Sequence, residues 1–406
     1  MNSETVKSQS EEMVKEKGLF SLLTSNARQY GIVGALVVII VVFQILTKGL
    51  LLQPNTVVQL IQQNAYVVIL AVGMVMVIIA THIDLSVGSL VGFIGGCVAL
   101  LMQDMQLNWF LAILAGIIVG LLIGVWQGFW VAFVGIPGFI TTLAGMLIFR
   151  GLATTMINAS IPVNNSTFNG IAANFVPNIL GFWGPFDGLT IVVGILSILA
   201  FTWAQLNKRK KAVKVGLEAE SKKITYIKII IAVLVIAALT LEIALSGNAT
   251  QGGIPIMLVI VAILVLIYNF ILTRTVFGRH VYAVGGNRRA AELSGINTKR
   301  VDFFLYVHMG FLSAIAAIAM LSRLSSASAS TGTSFELDAI ASCFVGGTAV
   351  TGGIGTVPGV VIGATVMGVI NQGLSIMGVD SALIQTIKGL VLLLAVAVDI
   401  YSKRRK

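Results

Sequence analysis

Apolar residues dominate this chain in long continuous stretches separated by short polar breaks. The stretches fall at about 31–47, 63–80, 88–102, 109–133, 138–157, 189–206, 226–245, 255–273, 302–321, 357–377 and 382–400. An α-helix needs about 17 to 25 apolar residues to cross about 30 Å of hydrocarbon, and most of these stretches have that length. Lipid offers no partner to a bare backbone amide, so spans of this kind are helical, and their continuity is unlike the alternation of a membrane β-barrel. The pattern predicts an all-α, polytopic integral membrane helix bundle. The first stretch follows a mixed-charge tail and precedes many similar ones, and it reads as a retained span, not a cleaved signal peptide.

Charge sets the orientation. Most of the 26 Lys and Arg lie in four polar segments, residues 1–28, 206–223, 274–300 and 403–406. The positive-inside rule puts all four in the cytoplasm, with segments 103–108, 159–188 and 246–254, which lack Lys and Arg, outside. The expected organisation is a cytoplasmic tail (1–28), a membrane domain (29–402) and a basic cytoplasmic end (403–406). With both termini inside, the number of crossings is even, and eleven runs require a twelfth. "FELDAIASCFVGGTAV", residues 335–350, is the candidate for a short or re-entrant segment buried in protein.

Composition narrows the function. With 57% hydrophobic and 10% charged residues and a mean hydropathy of +0.98, a soluble globule would expose large apolar patches. The net charge of +10 does not indicate nucleic acid, because the basic clusters lack interleaved aromatics. Cys97 and Cys343 sit in apolar, glycine-rich stretches and imply neither a disulfide framework nor a thiolate metal site. His82, His280 and His308 are scattered, so no metal site and no hydrolytic centre is expected. "FVGGTAVTGGIGTVPG", 344–359, lacks the Lys-Ser or Lys-Thr of a phosphate-binding loop and reads as a tight irregular connection, leaving the chain without a nucleotide site of its own. Gly116, Gly120 and Gly124 recur at every fourth residue, the spacing that brings membrane helices close.

Four stretches stand out. "THIDLSVGS", 81–89, places Asp84 and Ser86 between two runs, either as caps for the helix beginning near Val87 or as functional polar groups; a proton relay through Asp84 and His82 is the alternative chemistry. The external segment 159–188 is long for a connector, and it either docks a partner or covers the bundle. Asn64, Asp84, Ser86, Glu336, Asp338 and Asn371 are the polar residues that could meet a translocated molecule. Finally, "AVGGNRRAAELSGI", 283–296, reads as a polar helix of about two turns. Gly285 and Gly286 allow a sharp turn, Asn287 is a cap, and Arg288, Arg289, Ala290, Ala291, Glu292 and Ser294 fill the helix up to a stop at Gly295. Leu293 is its one large apolar residue, too little for an interfacial helix, so docking into a partner is favoured.

"LAVGM" (70–74), "IDLSVGS", "LAGMLIFRG" (143–151), "FGRHVYAVGGNRRAAELSGI" (277–296), "ELDAIASCFVGGTAVTGGIGTVPG" (336–359) and "KGLVLLLAV" (388–396) together resemble the permease subunit of bacterial ABC sugar importers of the ribose, galactose and xylose group, over about 55–400. The resemblance implies a non-catalytic permease in a bacterial inner or plasma membrane, paired with a second copy as a homodimer. It also implies a cytoplasmic ATP-binding subunit, which carries ATP and magnesium, and an extracytoplasmic sugar-binding protein. Segment 285–295 is then the coupling helix that contacts the ATPase. The helix pair and basic loop at about 189–245 exceed the ribose-type pattern and resemble the xylose-type permeases, which makes xylose the expected sugar. A proton-coupled secondary transporter using Asp84, Glu336 or Asp338 is the alternative, and an exporter or channel subunit a further one.

Overall fold

The computed structural model describes residues 27–215, 221–246 and 252–404. The tail 1–28, apart from its last two residues, and Arg405 and Lys406 of the basic end lie outside them. Helices carry the fold: α1 (Ala27–Leu46), α2 (Pro54–Ile79), α3 (Val87–Gln103), α4 (Trp109–Phe129) continued by a π-helical turn (Trp130–Val134), and α5 (Gly138–Met156). The outer segment contributes α6 (Ser166–Ala173), and after it come α7 (Gly188–Lys214), α8 (Lys222–Leu245) and α9 (Ile256–Arg274). Two short helices follow, α10 (Val276–Gly286) and α11 (Arg288–Leu293), and then α12 (Thr298–Leu324), α13 (Phe335–Val345), α14 (Val357–Ile376) and α15 (Ser381–Arg404). Eight of the described helical segments are long and apolar enough to cross a membrane, and Gly31–Leu46, Val87–Gln103 and Ser381–Ala397 are shorter apolar helices. Every predicted run therefore coincides with a helix.

Segment 159–188 is more ordered than a bare connector. Its helix α6 is capped by Asn165, whose Oδ1 accepts from the Phe168 amide at 2.9 Å. Two-residue strands flank it: β1 (Ile161–Pro162) pairs antiparallel with β4 (Ser326–Ala327), and β2 (Phe182–Trp183) pairs with β3 (Phe186–Asp187). These ladders are the only strands among the described residues.

The chain divides into two compact units. The smaller contains the predicted extra helix pair, within Phe175–Ile254, together with Gln53–Val57. Here Asp187 caps α7 by accepting from the Thr190 amide at 2.9 Å, and Gly194 lets α7 meet Thr240 of α8. Most of α7 and α8 is exposed: Leu196, Leu199, Ile230 and Leu234 point outward, as expected of helices that face acyl chains. Trp203 and Tyr226 are exposed near the basic end of the pair, where amphipathic rings favour the headgroup layer.

The larger unit holds the rest. Its core centres on α2, where Leu70, Ala71, Val72, Met74, Val75, Met76 and Val77 are fully buried. In membranes, close packing must replace the hydrophobic effect between helices, and glycine supplies it on α4. A Cβ on Gly120 would lie 2.6 Å from the Gly310 carbonyl oxygen and 2.7 Å from the Ala314 Cβ, and one on Gly124 would lie 2.5 Å from the Tyr306 carbonyl oxygen. Reciprocally, a methyl on Gly310 would strike the Gly120 carbonyl oxygen. Gly120 and Gly124 of the four-residue repeat thus form the seam between α4 and α12, while Gly116 faces Val98 and Ile94 of α3. Replacing Gly310 by Val should separate the two helices and cost roughly 2 to 3 kcal/mol, read as a lower melting temperature of the detergent-purified protein. Gly151→Ala, at a position with open space around it, should stay within about 0.5 kcal/mol of the parent.

Candidate functional site

The polar island folds as the sequence implies at its two ends. Asn287 caps α11, its Oδ1 accepting from the Ala290 amide at 3.0 Å, and Gly295 terminates it in a left-handed conformation, φ +81°. At six residues, the helix is slightly shorter than the expected two turns. Gly285 and Gly286 also differ from expectation: instead of forming a turn they end α10, which runs back to Val276. Helix α10 is therefore an element that sequence reasoning missed, because its two terminal glycines read as a break.

Gly285 has a packing reason. A methyl there would run into the carbonyl oxygen of Ile79, at the end of α2. That same oxygen accepts the Gly353 amide at 2.9 Å, and Tyr282 Oη donates to the Gly355 carbonyl at 2.6 Å. Gly352 and Gly353 take left-handed conformations, φ +78° and +71°, which glycine adopts without strain. The glycine-rich segment 346–356 is thus the expected irregular connection, and it meets α10 and the end of α2 backbone to backbone.

The side chains of α11 split into two faces. Arg288 and Ala291 turn inward, Ala291 being 4% exposed. Arg288 grips Asp302 of α12 with two charge-assisted bonds, Nη1 to Oδ2 at 2.8 Å and Nη2 to Oδ1 at 2.9 Å. Donating to the Asp302 carboxylate holds the Arg288 guanidinium above its ordinary pKa. His82 Nε2 lies 3.0 Å from Asp302 Oδ1 and 3.2 Å from Arg288 Nη2. Glu292 accepts from Thr298 Oγ1 at 2.9 Å. Arg289, Ala290, Ser294 and Gly295 are exposed, and Leu293 is 84% exposed.

The turn 80–86 reaches this junction through His82. Asp84 and Ser86 are fully buried, and Asp84 Oδ1 accepts from the Ser86 amide at 2.8 Å and the Ser86 hydroxyl at 2.6 Å. Ser86 precedes α3 but makes no side-chain cap bond, so the capping expectation gives way to a local turn closed by Asp84. Ser86 Oγ accepts from Gln127 Nε2 of α4 at 2.7 Å, and Thr142 of α5 donates to the Ile83 carbonyl at 3.2 Å. His82 and Asp84 have separate partners, Asp302 and Ser86.

The remaining polar candidates gather elsewhere. Asn64, Asp338 and Asn371 line one small open hollow of about 20 Å³, shared with Gln63, Tyr66, Gln372 and Lys388. Lys388 Nζ pairs with Asp338 Oδ1 at 2.7 Å, Asn64 Nδ2 donates to the Ala364 carbonyl at 2.7 Å, and the Tyr66 ring stacks on Phe335 at 3.8 Å between centroids. Glu336 sits against Gly88. Near it, Arg150 donates to the carbonyls of Ala329 and Thr331 at 2.8 and 2.9 Å. Sequence reasoning missed Gln127, Asp302 and Lys388. Lone charges inside apolar runs were the available signal for the last two, since a buried ion needs a partner.

The profile of the family described as "Branched-chain amino acid transport system / permease component" matches residues 56–396. The chain is 37% identical to the xylose transport system permease protein XylH of Escherichia coli (strain K12) over 397 residues, 97% of each chain. It is 35% identical to XylH of Haemophilus influenzae over 95% of this chain and 100% of the relative. It is 32% identical to the ribose import permease protein RbsC of Escherichia coli (strain K12) over 85% of each. No solved structure matches the chain. On a family match that covers most of its length, and with a bundle of membrane-length helices, the chain belongs to this family of transport-system permeases as an integral membrane component.

Proposed function

We propose that this permease forms the translocation pathway of an ATP-driven, binding-protein-dependent importer of a neutral monosaccharide, with xylose the favoured sugar. The observation that carries the reading is the outward face of α11. Arg289 and Leu293, one helical turn apart, stand exposed on a short capped helix whose other face is anchored in the protein. Such a knob fits a groove in a cytoplasmic partner, and the match to xylose permeases over 97% of the chain supports an ATPase as that partner. ATP and magnesium belong on that subunit, an extracytoplasmic sugar-binding protein delivers the substrate, and a second copy of this chain completes the pathway. The proposed topology has twelve crossings with both termini in the cytoplasm, the short α13 and segment 346–356 together making one of them.

Within the pathway, the hollow lined by Asn64, Asp338 and Asn371 supplies amides suited to sugar hydroxyls. A neutral polyol gains nothing from membrane potential, so transient polar contacts suffice. Asp84, Ser86 and Glu336 are proposed as parts of the surrounding framework. Proton coupling is the weaker reading, because Asp338 is ion-paired with Lys388 and His82 and Asp84 have separate partners.

Proteoliposomes holding the permease and its ATPase should take up labelled xylose only when ATP and the binding protein are both supplied; ATP-independent uptake driven by a proton gradient would overturn the proposal. Leu293→Asp should weaken ATPase association about tenfold or more, measured by co-purification or surface binding. Gly285→Ala should lower uptake roughly tenfold, a loss equivalent to about 1.4 kcal/mol at the junction. Gly286→Ala, where nothing stands within 4 Å, should leave uptake close to that of the parent.

A further inference from the structure

Of the three charged residues on the coupling segment, Arg289 and Glu292 are exposed, Glu292 with one carboxylate oxygen held by Thr298, whereas Arg288 is committed to a partner within the chain. Arg288 lies on the inward face with Ala291, three residues on, whereas Arg289 and Leu293 share the opposite face four residues apart. Both Nη groups of Arg288, a side chain 38% exposed, are committed to Asp302, 5% exposed, and His82 Nε2 completes the cluster by donating to Asp302 or accepting from Arg288. Three separate elements are thereby tied at one point: α11, the first turns of α12, and the turn 80–86 that follows α2. From that turn the connections continue inward, through Asp84 to Ser86 and from Ser86 to Gln127 on α4.

We infer that Arg288, Asp302 and His82 form a clamp that positions the coupling helix and passes its displacement to the turn 80–86, and that Arg288 is not itself a contact to the ATPase. This rests on the proposed role of α11 as the ATPase-facing element. A guanidinium and a carboxylate joined by two parallel bonds resist rotation as well as separation, whereas a single-point contact resists separation alone. An applied push on Leu293 would then be transmitted through a fixed geometry rather than absorbed by side-chain rotation.

Docking and transmission are separable by experiment. Arg288→Met, Arg288→Lys and Asp302→Asn are each compared with Leu293→Asp in the assembled transporter, reading ATPase co-purification, melting temperature, and ATP hydrolysis stimulated by the loaded binding protein. Arg288→Met and Asp302→Asn should keep ATPase association within about twofold of the parent while losing stimulated hydrolysis and uptake by about tenfold or more. The double variant should be no worse than either single one, the signature of a shared interaction. Arg288→Lys, which keeps the charge and a single bond, should fall between parent and Arg288→Met, and it carries the test if Arg288→Met fails to accumulate. Loss of association in Arg288→Met or Arg288→Lys matching that of Leu293→Asp would overturn the clamp, as would full uptake in both Arg288 variants. Undiminished association in Leu293→Asp and Arg289→Glu together would instead overturn the docking role of α11.

Discussion

A peptide carbonyl or amide in hydrocarbon has no water to turn to, and each one left unpaired costs several kcal/mol. Regular helix satisfies this constraint for the spans. Wherever the chain leaves helix among the spans, another part of the protein must supply the partner. The Ile79 carbonyl, at the end of α2, takes the Gly353 amide, and the Ile83 carbonyl takes the Thr142 hydroxyl. The carbonyls of Ala329 and Thr331 take the Arg150 guanidinium. The irregular segments are therefore not slack: each is fastened to a helix that is distant in sequence.

That fastening gives the junction its mechanical character. Backbone meets backbone at Ile79, Gly285 and Gly353, with no flexible side chain between them. Around this contact the bidentate Arg288–Asp302 pair and the Tyr282–Gly355 bond fix orientation as well as distance. If energy arrives from a separate ATPase, as proposed, a stiff connection from an exposed helix to the turn 80–86 is a physical means of receiving it. The polar hollow is built differently, from amides and one ion pair, as befits passing contacts with hydroxyl groups.

The sequence was most informative where the physics is local. Span positions follow from continuous hydrophobicity, and the Asn287 cap and Gly295 stop follow from the conformations that those residues favour. It was least informative where partners come from far along the chain. Arg288 reads as an exposed charge until Asp302, fourteen residues away at the start of an apolar run, is brought beneath it. Asp84 and Ser86 read as helix caps because both types cap well, yet the shorter route from Asp84 to the Ser86 amide wins. Helix α10 was hidden because Gly285 and Gly286, the first of which packs against Ile79, resemble a turn. Helix α6 and strands β1 to β3 lie in segment 159–188, whose polar, proline-containing sequence carries too little periodicity to reveal them. Asn64, Asp338 and Asn371, by contrast, stand out in the sequence as isolated polar residues in apolar surroundings, and they converge on one hollow, with Asp338 buried, Asn64 half-buried and Asn371 exposed.

If α11 is the coupling helix, as proposed, then α10, which joins it to segment 346–356 through Tyr282 and Gly285, makes the two move as one body when ATP acts on the complex. Spin labels at Ser294 and Val350, both exposed, introduced in a background with Cys97 and Cys343 replaced, report the separation of the two by pulsed electron resonance. The distance between the labels within a chain should be the same in the nucleotide-free and ATP-bound transporter. A change of several ångströms between the two states would show that the junction opens during the cycle and would contradict the account.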